Sequence, residues 1–212
     1  MTTLRKFYQS REEFQDLHGI IYKSLFYHLK GKNIYALGST DICGLERMKI
    51  DGQLIIGLRF RGFLGRKFKT TFLIKGNFQV LNDVNISSGC RFDVGKNATI
   101  KLDGCVINSE SDFIINNGLE VGKDSRIGWN CKFTDEDFHS IHYMDKKECS
   151  SKEIIIGEHI WICNNVRIMK GVHIGDGSVV AAHSVVMHSF PDKNVLIGGY
   201  PAKIIKRDVW WD

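Results

Sequence analysis

The sequence predicts an all-β solenoid, a parallel β-helix built on six-residue repeats, and three observations carry that expectation. Ile156, Ile162, Ile168, Ile174, Val180 and Val186 recur at every sixth position without a slip. Four residues after each of the first five, Ile160, Val166, Val172, Ser178 and Ser184 are all small or β-branched. Gly157 and Gly175 directly follow two of the aliphatics. A helix repeats its apolar face at about 3.6 residues and a half-buried strand at about 2. A strict six therefore needs a chain that turns a corner every six residues and sends one aliphatic inward per face. The glycines suit the crowded or positive-φ backbone of such a corner.

From the N-terminus, residues 1–49 are expected to form a helical capping region. Phe14, Leu17, Ile21, Leu25 and Leu29 stand at helical spacing and predict an amphipathic helix over Phe14 to Leu29 that covers one end of the solenoid. Lys23, His28, Lys30 and Lys32 nearby keep a membrane-surface role as the alternative. The β-helix is expected over residues 50–190. Its beat runs through Ile74, Val80, Ile86 and Phe92, then Val94, Ile100 and Val106, then Val121, Ile127 and Phe133. In the last run Gly122 and Gly128 take the glycine slot, and Ser125 and Cys131 the small slot. The phase shifts at Phe92–Val94 and between Val106 and Val121 read as bulges or a short loop at a corner. The polar stretch Thr134–Glu153 interrupts the beat and reads as an extruded loop, the kind that carries function on a rigid scaffold. Over residues 191–212, Pro191, Gly198, Gly199 and Pro201 lead into Ala202–Arg207, read as a short cationic helix closing the solenoid.

Composition narrows the function classes. The 212 residues suit one large domain, and 43% hydrophobic with 25% charged content excludes a disordered chain. The net charge of +5 is mild and spread along the sequence, so no nucleic-acid partner is expected; a basic surface beside an anionic cofactor is more economical. No apolar run approaches membrane-span length and Met1–Ser10 lacks the apolar core of a signal peptide. Stable membrane insertion is therefore not expected, and a cytoplasmic location is. The six cysteines, Cys43, Cys90, Cys105, Cys131, Cys149 and Cys163, show no CxxC pair and no zinc-ribbon spacing. Cys90 and Cys131 fall in the small corner slot, where reduced thiols pack.

Four segments carry a resemblance to a known family: Asp137-Phe138-His139-Ser140-Ile141, Ile156-Gly157-Glu158-His159-Ile160-Trp161-Ile162, Ile168-Met169-Lys170-Gly171-Val172-His173-Ile174-Gly175-Asp176-Gly177, and Ile197-Gly198-Gly199-Tyr200-Pro201-Ala202-Lys203-Ile204-Ile205-Lys206. In their order and spacing the chain resembles the left-handed β-helix hexapeptide acetyltransferases of the maltose, galactoside and xenobiotic type, especially the branch acting on surface polysaccharides. The match covers about Val121 to Arg207, with only the repeat character before that. The resemblance implies a homotrimer that takes acetyl-CoA as donor and a carbohydrate as acceptor, with no metal.

The resemblance also implies roles for individual residues. His139 matches the family's general base, and the chemistry agrees: an alcohol attacking a thioester must lose its proton to a group titrating near neutrality. Read without the family, His139 is an exposed loop histidine. Asp137, two residues before it, is a candidate to orient the imidazole. His142 competes for the base role but stands outside the family's Asp-x-His slot. Trp161 matches the wall of the cleft between subunits, the alternative being a rim aromatic packed on the next coil. Ala181 and Ala182 match small residues along the pantetheine arm. Tyr200, Pro201, Ala202 and Lys203 match the loop bordering coenzyme A, with Lys203, Lys206 and Arg207 offering charge to its phosphates or simply solvated. Asn116, with Asn108 and Asn117, and His142 and Trp161 are candidates for acceptor contact. The chain departs from the family at Cys163, where glycine is usual, and at Ala181 and His183, where a Gly-Ala-Gly-like stretch is common. These extra side chains narrow the donor slot. A thiol nucleophile at Cys163 is not expected, because no base stands beside it in sequence.

Other functions use related scaffolds. The γ-type carbonic anhydrases bind zinc through three histidines, two of them spaced as His183 and His188 are, and His159 lies earlier. His183, however, follows its inward aliphatic by three residues where that family has two. An amino-sugar N-acetyltransferase and a non-catalytic binding scaffold are the remaining alternatives. The reading reached from sequence is an acetyl-CoA-dependent O-acetyltransferase acting on a sugar hydroxyl in surface polysaccharide biosynthesis, with a histidine base.

Overall fold

The computed structural model describes residues 17–58, 68–139 and 153–212. Among them the chain winds round a triangular prism. Its strands stack into three faces, of nine strands (face I), seven (face II) and six (face III), all parallel except the last strand of face I. The path visits the faces in that order, beginning with Ile34–Ala36 on face I, Thr40–Cys43 on face II and Met48–Ile50 on face III. The first coil thus starts at Ile34, within the stretch expected to cap the solenoid. The fold is the left-handed parallel β-helix expected from the repeats together with the family resemblance.

Parallel pairing sets each inward side chain on its counterpart one coil later. On face I, Ile86, Ile107, Ile127, Ile162, Val180 and Ile197 form one buried column. Such a column excludes water along the whole axis, which is the main driving force for a fold made of short strands. The six residues of the strict beat, Ile156 to Val186, are all buried. The irregular phase further upstream has a physical cause. There most strands have three to five residues and send two side chains inward, such as Phe92 with Val94 and Phe113 with Ile115. In the last coils two-residue strands send in one. Wider faces lengthen the coil, so Ile86 meets Ile107 and then Ile127, whereas Ile162 meets Val180. For the same reason Val106, expected inward, is half-exposed and Ile107 takes its place.

The width is filled by phenylalanine. Phe72, Phe92, Phe113 and Phe133 stack down face II with ring centroids 4.8, 4.5 and 4.7 Å apart. Phe78 on face III meets Phe92 edge-on at 5.6 Å. Outside the same face, opposite charges alternate: Asp112 lies between Arg91 (2.8 Å) and Lys132 (3.4 Å). Burial acts to raise the Asp112 pKa, but the Arg91 hydrogen bond and both cations outweigh it and hold this carboxyl below its ordinary value.

The two ends depart from expectation in instructive ways. A helix, α1, spans Leu17–Leu29; Phe14 lies outside the described residues. Ile21, Leu25 and Leu29, expected to face the solenoid, are exposed, and Tyr27 is the buried residue. An open solenoid end needs hydrogen-bond partners as well as apolar cover. The docked side of the helix supplies them: Lys23 Nζ donates to Thr40 O (3.1 Å) and Ala36 N donates to Ser24 Oγ (3.2 Å). At the other end the expected helix over Ala202–Arg207 is a strand, Ala202–Lys206, running antiparallel to Leu196–Gly199 on face I. Turning back sets Ile204 beside Ile197 and gives the last parallel strand a partner, which a helix would leave unpaired. No helix among the described residues is long and apolar enough to cross a membrane.

Candidate active site

His139 stands on the edge between faces II and III. The strand Lys132–Thr134 on face II delivers it, after Asp135 turns into the interior. Asp137, Phe138 and His139 then emerge exposed at the end of this described segment. The expected pairing of Asp137 with His139 is not among the contacts of the described residues. The Asp137 carboxylate is paired with Lys170 Nζ from the following coil, and Phe138 has a left-handed φ of 62°. That conformation breaks the extended alternation that would put both side chains on one side. His142 and the rest of residues 140–152 lie outside the described residues.

Asn116 and Asn117 lie one coil earlier on the same edge, and their backbone amides both donate to Asp135. The Asn116 side chain leans back on the preceding coil, where a Cβ on Gly95 would come within 2.2 Å of its Oδ1. Asn108 is elsewhere, at the corner between faces I and II, with its Nδ2 donating to Ile127 O (2.8 Å). Beside the His139 edge, an open groove of about 510 Å³ on face III is lined by Asn117, Glu153, Ile155, Gly171, Val172 and His173.

The residues expected to hold the donor gather on face I and its corner with face II. Arg126, Trp161, Val179, Leu196 and Lys206 form one row by register, and Trp161 is 43% exposed. Ala181 and Ala182 follow at the corner. Ala181 N donates to Ile197 O (2.8 Å), and a Cβ on Gly198 would lie 2.6 Å from Ile205 Cδ1 and 3.1 Å from the Ala181 Cβ, so glycine lets the last strands pack closely on this corner. Ser184 ties the corner: its hydroxyl donates to Ala181 O (2.7 Å) and accepts from Gly199 N (3.2 Å). Tyr200 and Pro201 form the exposed turn between the last two strands, followed by buried Ala202 and exposed Lys203. Lys206 is exposed too, whereas Arg207 is paired with Asp192 (3.0 Å).

Trp211, which drew no attention in the sequence, stacks on His159 next to Trp161 (centroids 4.2 and 6.0 Å away). Its indole N–H donates to His159 O (2.9 Å), and Arg126 lies 5.8 Å from its ring. Nothing in a repeat pattern identifies a residue that docks from outside the repeat.

Geometry separates the residues expected to form the site. In a triangular prism the edge between faces II and III is opposite face I. One copy of the chain therefore holds His139 on one side and Trp161, Ala181, Lys203 and Lys206 on the other. The histidines weighed for zinc are likewise dispersed: His159 sits at the corner of faces III and I, His183 at that of I and II, and His188 beyond the strand Val185–Val186 on face II. His159 is engaged by Trp211 through Nε2 (3.0 Å), and His183 by Asn165 (3.3 Å). No group of three candidate metal ligands occurs among the described residues. The Cys90 and Cys131 thiols are pushed up to about 12 by burial, and burial raises Cys163 too, as inert packing residues require.

Comparison with known proteins adds the following. The family model "Bacterial transferase hexapeptide (six repeats)" matches residues 153–188. The chain is 38% identical over 196 residues to an "Uncharacterized 24.8 kDa protein in cps region" of Klebsiella pneumoniae, covering 91% of this chain and 88% of that protein. It is 27% identical over 177 residues to the "Putative lipopolysaccharide biosynthesis O-acetyl transferase WbbJ" of Escherichia coli K12, covering 78% and 89%. Among solved structures, a point mutant of AntD, an N-acyltransferase from Bacillus cereus in complex with dTDP and coenzyme A, shares the fold. Its TM-score is 0.54 at 19% identity, covering 85% of this chain and 87% of that one.

Proposed function

Because the chain belongs to the bacterial hexapeptide transferase family, as an acetyltransferase, we propose that it moves the acetyl group of acetyl-CoA onto a sugar hydroxyl of a surface polysaccharide or its precursor. The observation that carries this reading is the assembly of an exposed Trp161, the short side chains of Ala181 and Ala182 at the corner, and the cations Lys203 and Lys206 on one face. Short side chains flanked by an aromatic ring and positive charge suit a pantetheine arm followed by phosphates. The polysaccharide class is supported by the lipopolysaccharide relative and by the relative in a cps region.

In this reading the acceptor hydroxyl oxygen attacks the thioester carbonyl carbon while His139 takes the hydroxyl proton. The C–S bond then breaks, and the coenzyme A sulfur leaves and takes up a proton. His139 and the donor face lie on opposite sides of one prism, so a complete site needs His139 from one copy and face I from another. A heterologous contact repeated with three-fold rotation closes into a homotrimer with three equivalent sites. The place of work is the cytoplasm, where acetyl-CoA is available.

The test combines light scattering with thiol release from acetyl-CoA across a panel of oligosaccharides, nucleotide sugars and amino-sugar nucleotides. A trimer that releases thiol only with hydroxyl acceptors supports the reading. A monomer, or turnover confined to amino sugars, overturns it in favour of another assembly or of N-acetylation.

A further inference from the structure

Asp135 is the only charged side chain among the described residues that is buried, at 0% exposure. Its position makes this unusual. Ile74 pairs with Val94 and Val94 with Ile115 in one inward column on face II. Ile114 pairs with Thr134, so the next place in the column falls to Asp135. A carboxylate thus stands where three earlier coils carry an aliphatic. An ion taken out of water is tolerated only when hydrogen bonds replace its hydration.

Those bonds all come from one turn. Asp135 Oδ1 accepts from Asn116 N (2.8 Å), and Oδ2 accepts from both Asn117 N (2.7 Å) and Gly118 N (2.8 Å). Three successive backbone N–H groups converging on one anion form a nest, filled here by the chain itself. Asn117 Nδ2 returns a bond to Asp135 O (3.2 Å). Two residues later Asp137 pairs with Lys170 of the following coil. Asp135–His139, the root of the stretch that follows, is thereby tied to the coil before it through Asp135 and to the coil after it through Asp137, and His139 comes next.

We propose that Asp135 is a positioning residue: its carboxylate locks the loop root to the Asn116–Gly118 turn and so fixes where His139 stands for proton transfer. The catalytic half of this statement rests on the reading of His139 as the base. An aliphatic in the column would fill the core as well but would leave three amides without an acceptor and the root free to shift. A displacement of about 1 Å at a catalytic group costs on the order of 10²-fold in rate.

The experiment uses Asp135→Asn, which keeps the volume but loses one acceptor oxygen, and Asp135→Ser, which keeps a shorter acceptor. Hydrogen exchange of the full-length protein is read first. Faster exchange in both Asn116–Gly118 and Glu136–His139, with the other coils unchanged, is expected. A change confined to Asn116–Gly118 overturns the proposal, since Asp135 would then merely cap a turn. Thiol release from acetyl-CoA with the glycoside panel is read second. Turnover is expected to fall about 10–100-fold in Asp135→Asn and less in Asp135→Ser, with acetyl-CoA affinity unchanged. In a His139→Ala background Asp135→Asn should cost nothing further, because two residues acting as one unit are not additive. An equal loss in both backgrounds overturns the positioning role. If His139→Ala is itself fully active, the base reading fails, and hydrogen exchange alone decides whether Asp135 holds the root.

Discussion

The Trp211 indole lies flat on the His159 imidazole, ring centroids 4.2 Å apart and 7° from parallel, and each residue hydrogen-bonds the backbone carbonyl of the other. Contact across 52 positions fixes the C-terminal tail against the corner of faces III and I, beside Trp161. The tail is held at a second point by Val209 N donating to Asn194 O (2.9 Å).

Trp211→Ala should remove one stack and one hydrogen bond and lower stability by about 1–2 kcal/mol. Thermal denaturation reads the loss, and limited proteolysis should cut the tail sooner. An unchanged melting temperature would mean that the tail contributes nothing to the folded state.

Phe113 sits between Phe92 and Phe133 in the face II stack, so Phe113→Ala leaves a void that the rigid coils on either side cannot close. The expected cost is about 3–5 kcal/mol in urea unfolding, with Phe113→Leu losing less. A loss below about 1 kcal/mol would show that the stack collapses readily.

Asp112 gives the face II exterior a defined acid sensitivity. Its folded pKa is depressed, so its contribution is complete above the unfolded carboxylate value of about 3.9 and is lost as pH falls through the folded value. Stability measured from pH 5 downward should fall more steeply in the wild type than in Asp112→Asn. Equal slopes would remove the Arg91–Asp112–Lys132 row from the acid response.

Lys203→Glu replaces a cation by a repelling charge and should weaken coenzyme A binding, less so for dephospho-coenzyme A if the 3′-phosphate is its partner. Equal affinity of wild type and variant for coenzyme A would exclude Lys203 from the donor site. A site shared between subunits, as proposed, would make a further demand. Mixed trimers of Lys203→Glu and His139→Ala subunits contain some sites with both residues intact, about one in four for random assembly. At limiting acetyl-CoA the mixture should regain activity that neither variant has alone.

Much of the fold was legible because the late coils repeat a single rule. Ile156 to Val186 each fill one inward place, and Gly157, Gly175 and Ser184 mark the corners. The early coils hid their register because two inward residues per strand, as at Phe92 and Val94, make the period depend on face width. The strand Ala202–Lys206 looked helical from its cations, yet the unpaired edge of Leu196–Gly199 decides its conformation. His139, Trp161 and Ala181 were marked by motif. Asp135 left a signal that passed unread, a carboxylate on a beat of aliphatics. Neither the Lys170 partner of Asp137 nor the docking of Trp211 left any, since both depend on how coils stack rather than on local order.

Turnover of His139→Ala, with assembly and acetyl-CoA affinity measured on the same preparation, tests the account most directly. A lost acid–base group should lower thiol release on an active acceptor by about 10²–10⁴-fold while the trimer and donor affinity stay intact. His142→Ala serves as the control, because distortion of the loop would affect both variants alike. Near-wild-type turnover of His139→Ala would contradict the assignment of the base and the placement of chemistry at the edge between faces II and III.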